Sequence, residues 1–201
     1  LSDTISDLKR AGISRVNVTL NTLNEDVYKS ITGKNKLQEV LAGIEKTYEE
    51  KIFPIKVNMV VMQRNYREIK NLINYTKEGM VLQLIELISD KNGTDSKFYK
   101  ENYASLVPIE EYLEKHSIKI VEREKQRRKK YFVPQEIEVV RSMHNTVFCN
   151  NCSSIRVTSE GEIKNCLFRN DNLIKISDFS DHKKLKDKLI FSIKTKTPYW
   201  C

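Results

Sequence analysis

Between Leu1 and Ile88 the apolar residues switch repeatedly between a helical and a strand period, and few folds can use that rhythm. Leu1, Ile5 and Leu8 have helical spacing, and Gly12 after Ala11 supplies a stop. Arg15 to Leu20 alternates as a strand. Asn21 to Asp26 then caps a short helix with an acidic start, predicted to run through Ile31. Leu37, Val40, Leu41, Ile44 and Tyr48 form the apolar stripe of a second helix. Pro54 to Val61 is mostly apolar, as a strand covered on both faces would be. Ile69, Leu72, Ile73 and Thr76 repeat the helical spacing up to Gly79, and Val81 to Leu87 reads as a third strand.

This alternation is the grammar of a parallel sheet with crossover helices, so the chain is predicted to be α/β, either a barrel or doubly wound. In both architectures chemistry belongs at the C-terminal ends of the strands. The polar residues inside or just past the strands are therefore candidates: Thr19 and Asn21, Lys56 and Asn58, and Glu86. An unpaired ammonium in an apolar strand is costly, so Lys56 either snorkels from an edge or binds an anion. Asn58 has the parity of Lys56 and shares its face, and Glu86 is a candidate partner for that lysine.

The character changes after Leu87. Ser89 to Ser105 is polar and reads as a long connection, Pro108 to His116 as a short helix, and Ile118 to Val121 as a strand. A basic run, Lys125 to Lys130, follows, and Tyr131 to Val133 and Ile137 to Val140 are strand-like, leading into a cysteine-bearing stretch. After Arg169 the chain is mostly helical and lysine-rich. A boundary near residue 95 is expected, dividing the chain into 1–95 and a smaller α+β domain at 96–201.

Cys149 and Cys152 form a Cys-x2-Cys turn, and thirteen residues separate them from Cys166. Ile155 to Thr158, Ser159 to Glu162 and Ile163 read strand, tight turn, strand, which predicts that Cys166 returns beside the first pair. Thiolates clustered in this way hold a soft metal, either zinc or an iron–sulfur cluster. Three cysteines leave one coordination position for another ligand. His144 or Cys201 could complete a structural zinc site instead. Arg156, flanked by Ile155 and Val157, is either a surface ion-pairing residue or a phosphate ligand.

The net charge of +8 and the pI near 9.2 are consistent with a solvated basic surface or attraction to a small anion such as a nucleotide phosphate. No recognised DNA- or RNA-binding motif accompanies the charge, so no nucleic-acid partner is expected. No apolar run approaches the roughly 20 residues of a membrane span, so no membrane association is expected. Four cysteines, three of them clustered, favour a reducing cytoplasm over a disulfide framework. The chain opens at Leu1 rather than Met, which suggests a fragment.

Several blocks, in order, resemble one family. Arg15 to Leu23, Ile31-Thr32-Gly33, Leu37 to Ile44, Lys56 to Val61, Leu84-Ile85-Glu86 and Cys149 to Phe168 are similar to the GTP 3',8-cyclases, the radical S-adenosylmethionine (SAM) enzymes of molybdenum-cofactor biosynthesis. The resemblance implies a partial TIM-type barrel followed by a C-terminal iron–sulfur domain. It implies a [4Fe–4S] cluster on Cys149, Cys152 and Cys166 whose open iron binds the purine of GTP. It also implies a first cluster that reduces SAM to a 5'-deoxyadenosyl radical, which takes the ribose 3' hydrogen and starts cyclisation onto C8. By match of motif, Thr19 and Asn58 would contact SAM, with Ile88 near its adenine. Lys56, Ser154 and Arg156 would lie at GTP. The implied partners are an electron donor, cyclic pyranopterin monophosphate synthase as the next enzyme, and a second copy in a homodimer.

The chain departs from the family pattern in places. The Cys-x3-Cys-x2-Cys motif of the first cluster is absent, so this chain alone is expected to be inactive. Thr19 and Asn21 stand where Ser and Asp are usual, Gln83 and Ser154 stand where arginines are expected, and the usual Gly-Gly tail is missing. Losing two cations from a triphosphate site weakens binding by a few kcal/mol unless others replace them, and the run at 125–130 is the candidate replacement. A radical SAM paralogue with another substrate and a non-catalytic zinc module are the alternative readings.

Overall fold

Helices and strands alternate from the start of the chain in the computed structural model, which describes every residue except Lys91, Ser177 and Cys201. The order is α1 (Ile5–Arg10), β1 (Val16–Thr19), α2 (Glu25–Thr32), α3 (Leu37–Glu49), β2 (Ile55–Val61), α4 (Ile69–Tyr75) and β3 (Met80–Glu86). Local chemistry explains the stops and starts. Asn24 caps α2 by accepting a hydrogen bond from the Val27 N–H at 3.0 Å, with Glu25 and Asp26 in the first turn. Gly33 ends that helix at a φ of 70°, a left-handed conformation that glycine adopts without penalty.

Strands β1, β2 and β3 pair in parallel, as the crossover pattern predicts. The chain then continues through α5 (Lys97–Asn102), α6 (Val107–His116), β4 (Lys119–Glu122), β5 (Lys129–Phe132) and β6 (Glu136–Val140). Strand β6 pairs in parallel with β3, and β5 and β4 extend the sheet antiparallel, giving the order β1-β2-β3-β6-β5-β4. The strand-like runs after residue 118 thus complete the first sheet. For this reason backbone contacts divide the chain elsewhere than at residue 95. One unit comprises Leu1–Glu122 and Arg128–Arg141, the other Arg123–Arg127 and the chain from Ser142 onward.

The core of the first unit lies on one face of the sheet. Ile55, Val57, Met59 and Val61 of β2 are fully buried and join Leu37 and Ile44 of α3, Leu72 of α4 and Leu113 of α6 in one apolar cluster. Lys56, Asn58 and Val60 alternate with them and are only half-buried. Strand β2 is therefore covered on one face, not on both as its composition predicts. The period of two sends every helical stripe and every odd-numbered β2 side chain to the same side.

The second unit is smaller. Asn145 caps α7 (Thr146–Asn150) through the Phe148 N–H at 2.9 Å. The predicted strand–turn–strand forms as β7 (Arg156–Val157) and β8 (Glu162–Lys164), antiparallel, with β9 (Ile174–Lys175) beside β8. Gly161, at a φ of 74°, closes the turn by donating its N–H to the Thr158 carbonyl at 3.1 Å. Buried Ile163 anchors the hairpin, and Asn165 Nδ2 ties it to α8 (His182–Lys194) by donating to the Ser192 carbonyl at 3.0 Å. Among the described residues no helix is long and apolar enough to cross a membrane.

One buried side chain fixes the C-terminal ends of β1 and β2 in the first unit. Asn65 Oδ1 accepts the Met62 N–H at 2.7 Å, and its Nδ2 donates to the carbonyls of Asn21 and Val60, each at 2.9 Å. Asn21 Oδ1 accepts the Val60 N–H at 2.9 Å. Replacing Asn65 with leucine keeps the volume and leaves three buried backbone groups without partners. We expect N65L to lose about 2–4 kcal/mol of unfolding free energy, measured by urea titration. A loss below about 1 kcal/mol would show that the clamp is dispensable.

Candidate functional site

The polar face of the sheet in the first unit carries a row of aligned residues. Thr19 pairs in register with Asn58, Asn58 with Gln83, and Gln83 with Glu138. Residues in register on neighbouring parallel strands point the same way, so these four stand side by side. Glu138 is fully buried and its carboxylate gathers donors from three directions. Oε2 accepts from Lys56 Nζ at 2.8 Å and from Gln83 Nε2 at 2.7 Å, while Arg128 Nη2 lies 3.4 Å from Oε1.

Lys56 is therefore paired with Glu138 and not with Glu86. Glu86 has the parity of Leu82 and Leu84, which places it on the helix-covered face of β3. There it accepts the Tyr103 hydroxyl at 2.9 Å, and burial together with that carboxylate pushes the Tyr103 phenol well above its ordinary range.

Asn58 Oδ1 is buried with no hydrogen-bond partner, a rare state for a side-chain acceptor. Thr19 beside it is exposed at the C-terminal end of β1, and Ile88 lies two residues beyond β3 with 39% of its surface exposed. An orphan acceptor, an open hydroxyl and an exposed apolar side chain suit a ligand with a polar, partly aromatic head, as SAM has. The first unit thus brings Thr19, Lys56 and Asn58 onto one face, with Ile88 just past the strand ends.

The second unit holds the cysteines. Cys149 lies in the last turn of α7, and Cys152 donates its N–H to the Cys149 carbonyl at 3.2 Å, which turns both residues into one cavity of about 400 Å³. Ser154 and Lys196 line the same cavity. Lys196 Nζ donates to the Ser154 carbonyl at 2.8 Å and to Cys152 Sγ at 3.4 Å, and Gln126 Nε2 donates to the same sulfur at 3.5 Å. Gln126 sits at a φ of 64° with its N–H on the Asn151 carbonyl at 2.7 Å, so a strained residue is pinned beside the thiol. Burial alone would raise the Cys152 pKa, but the Ser154 and Gln126 hydrogen bonds and the Lys196 charge outweigh it and bring the thiol down to about 7.

Cys149, Cys152 and Cys166 are all free thiols. Cys166 follows β8 but does not line the cavity, and among the described residues no three His, Cys, Asp or Glu side chains fall within reach of one metal ion. The donor chemistry fits a thiolate-bound cluster, and two of the three donors share a cavity. Arg156 is exposed on β7 opposite Lys164, outside that cavity. The His144 ring lies 4.1 Å from that of Trp200, and Cys201 falls outside the described residues.

Sequence reasoning missed Glu138, Gln126 and Lys196, and singled out Arg128 only as part of the basic run at 125–130. Glu138, between Ile137 and Val139, carried the same signal as Lys56: a charge inside an apolar strand. Gln126 and Lys196 reach Cys152 only through the tertiary fold, across 26 and 44 residues of chain.

Comparison with known proteins agrees with both halves. Residues 2–76 match the Radical SAM superfamily, and residues 80–200 match the family described as Molybdenum Cofactor Synthesis C. With its mostly parallel α/β sheet, the chain is a radical SAM protein. Three archaeal relatives, each named "Probable GTP 3',8-cyclase", narrow the class. That of Thermococcus kodakarensis is 41% identical over 211 aligned residues, covering 100% of this chain and 68% of the relative. That of Pyrococcus abyssi is 43% identical, covering 96% and 67%, and that of Methanothermobacter marburgensis is 38% identical, covering 100% and 68%. The chain belongs to the GTP 3',8-cyclase family and spans about two thirds of the length of these relatives.

The Cys152 environment makes a direct prediction for the metal-free chain. Alkylation by iodoacetamide tracks the thiolate fraction, so labelling of Cys152 should rise with pH around a midpoint near 7. K196M removes a charge that favours the thiolate and should move the midpoint upward. Peptide mass spectrometry after timed labelling reads both. A midpoint at the unperturbed value of about 8.5 in the parent chain would contradict the assignment of these donors.

Proposed function

We propose that this chain is the substrate-side portion of a GTP 3',8-cyclase of molybdenum-cofactor biosynthesis, which converts GTP to (8S)-3',8-cyclo-7,8-dihydroguanosine 5'-triphosphate by radical SAM chemistry. The observation that carries the reading is the cysteine cavity, in which two free thiols share one wall and a cation and an amide donate to one of them. Cys149, Cys152 and Cys166 would hold a [4Fe–4S] cluster. When bound, that cluster supplies an iron with an open position for the purine, while SAM and a second cluster of the full-length protein supply the radical chemistry.

Each half of the chain then has a task. The β1-β2-β3-β6 sheet is part of a partial TIM-type barrel, and the substrate module begins after β6 and not near residue 95. Thr19 and Asn58 bind SAM from the strand ends, where the orphan Asn58 Oδ1 accepts from the ligand, and Ile88 packs against the adenine. Lys56 meets the nucleotide phosphates from the polar sheet face. Ser154 and Arg156 bind GTP from the second unit. An electron donor is required, cyclic pyranopterin monophosphate synthase consumes the product, and the protein works in the cytoplasm. A paralogue acting on another substrate is the second reading, favoured by one observation: the Gln83 amide is engaged by Glu138.

Anaerobic reconstitution followed by iron, sulfide and zinc analysis tests the proposal. About four iron and four sulfide per chain are expected, with a visible spectrum that GTP perturbs and that C149A or C152A abolishes. One zinc per chain, indifferent to GTP, would sink the reading. A cluster blind to GTP points to the paralogue.

A further inference from the structure

Two side chains from distant parts of the chain converge on one sulfur of the cysteine cavity. Lys196, just past α8, places its Nζ 3.4 Å from Cys152 Sγ, and Gln126 places its Nε2 3.5 Å from the same atom. Neither donor is free to swing. The Lys196 ammonium is held by the Ser154 carbonyl at 2.8 Å, and the Gln126 backbone N–H by the Asn151 carbonyl at 2.7 Å. Asn151 and Ser154 flank Cys152, so each donor is registered on the loop that carries the sulfur. Lys196 also lines the cavity beside Cys149 and Cys152 and is half-buried, which limits the water that can screen its charge.

We propose that Lys196 and Gln126 are positioning residues that raise the reduction potential of the cluster held on Cys152, Lys196 by charge and donor together and Gln126 by its donor alone. The inference rests on the reading that Cys149, Cys152 and Cys166 hold an iron–sulfur cluster. A thiolate keeps lone pairs after it binds iron, so outer donors can still reach it and fix its orientation. Reduction brings one electron from a one-electron donor, and part of the added charge spreads onto the ligand sulfurs. A cation and N–H groups aimed at such a sulfur stabilise the reduced form more than the oxidised one, and the potential rises.

Redox titration of the anaerobically reconstituted chain, followed by its visible spectrum and by low-temperature EPR of the reduced form, tests the assignment. Each variant is checked for iron and sulfide content and for its thermal midpoint. K196M should lower the potential by about 59 mV, which corresponds to a tenfold change in the one-electron reduction equilibrium. K196R keeps the charge and the donors and should stay near the parent. Q126L should shift in the same direction as K196M by a smaller amount. K196Q, with an N–H donor and no charge, should fall between K196M and the parent. If Lys196 only ties the C-terminal segment to the Ser154 loop, K196M lowers the thermal midpoint and leaves the potential unchanged. That result overturns this inference alone, as does a K196R potential as low as that of K196M. A parent chain that takes up zinc and neither iron nor sulfide overturns the cluster reading along with it. Should K196M fail to hold a cluster, the K196Q and K196R pair decides: a lower potential in K196Q supports the inference, and equal potentials overturn it.

Discussion

A carboxylate withdrawn from water is tolerated only when charges and donors surround it, and Glu138 meets that demand by drawing on the whole sheet. Lys56 comes from β2, Gln83 from β3, Arg128 from the entry to β5, and Glu138 itself from β6. Removing Glu138 takes away the acceptor that Lys56, Gln83 and Arg128 share, so the cluster ties four strands together as well as placing two cations. Its location follows from the period of two. Ile55, Val57 and Met59 of β2, Leu82 and Leu84 of β3, and Ile137 and Val139 of β6 lie on the helix-covered face, and Lys56, Asn58, Gln83 and Glu138 stand together on the other.

The second unit solves a different problem with similar means. A half-buried thiol is ordinarily harder to ionise, yet Cys152 is held near neutrality by donors that converge from distant parts of the chain. The backbone is strained to do so: Gln126 and its neighbour Arg127 both occupy left-handed conformations, which side chains with a Cβ adopt at a cost of about 1–3 kcal/mol. Strain of that size persists where the surrounding contacts over-determine it, and here the Asn151 carbonyl and the Cys152 sulfur provide them. The segment Arg123–Arg127 belongs to this unit although the strands on either side belong to the other.

Much of this was legible in the sequence, where a physical rule acts locally. Parity alone put Lys56 and Asn58 on one face, and helix stripes and glycine stops placed the three parallel strands. Cover on both faces of β2 was inferred from its apolar content, but content does not say which side a stripe packs against, and burial alternates. Pairing Lys56 with Glu86 overlooked register: Lys56 aligns with Val81, so same-face neighbours on β3 have odd numbers, and Glu86 turns to Tyr103. The true partner lies 82 residues away on a strand that no local pattern joins to β2. Likewise the hairpin after Cys152 was readable from Ser159-Glu160-Gly161, whereas the side chains that reach the sulfur were not, because a turn signal is local and a hydrogen bond across 44 residues is not.

At the two positions where the family resemblance implies arginines, Gln83 and Ser154, a cation supplied from elsewhere lies nearby. At Gln83 the side chain is neutral, but its amide and the Arg128 guanidinium share one carboxylate, so a cation stands next to the position without occupying it. At Ser154 the side chain is short, and the residue's carbonyl instead holds the Lys196 ammonium against the cysteine cavity. In each unit a cation arrives from a later part of the chain, fixed by an acceptor at or beside the substituted residue. Electrostatic attraction depends on where charge sits in space and not on which residue carries it. A motif that tracks sequence position alone would score both sites as losses, although each retains a positive group within hydrogen-bonding reach of the substituted position or its immediate partner.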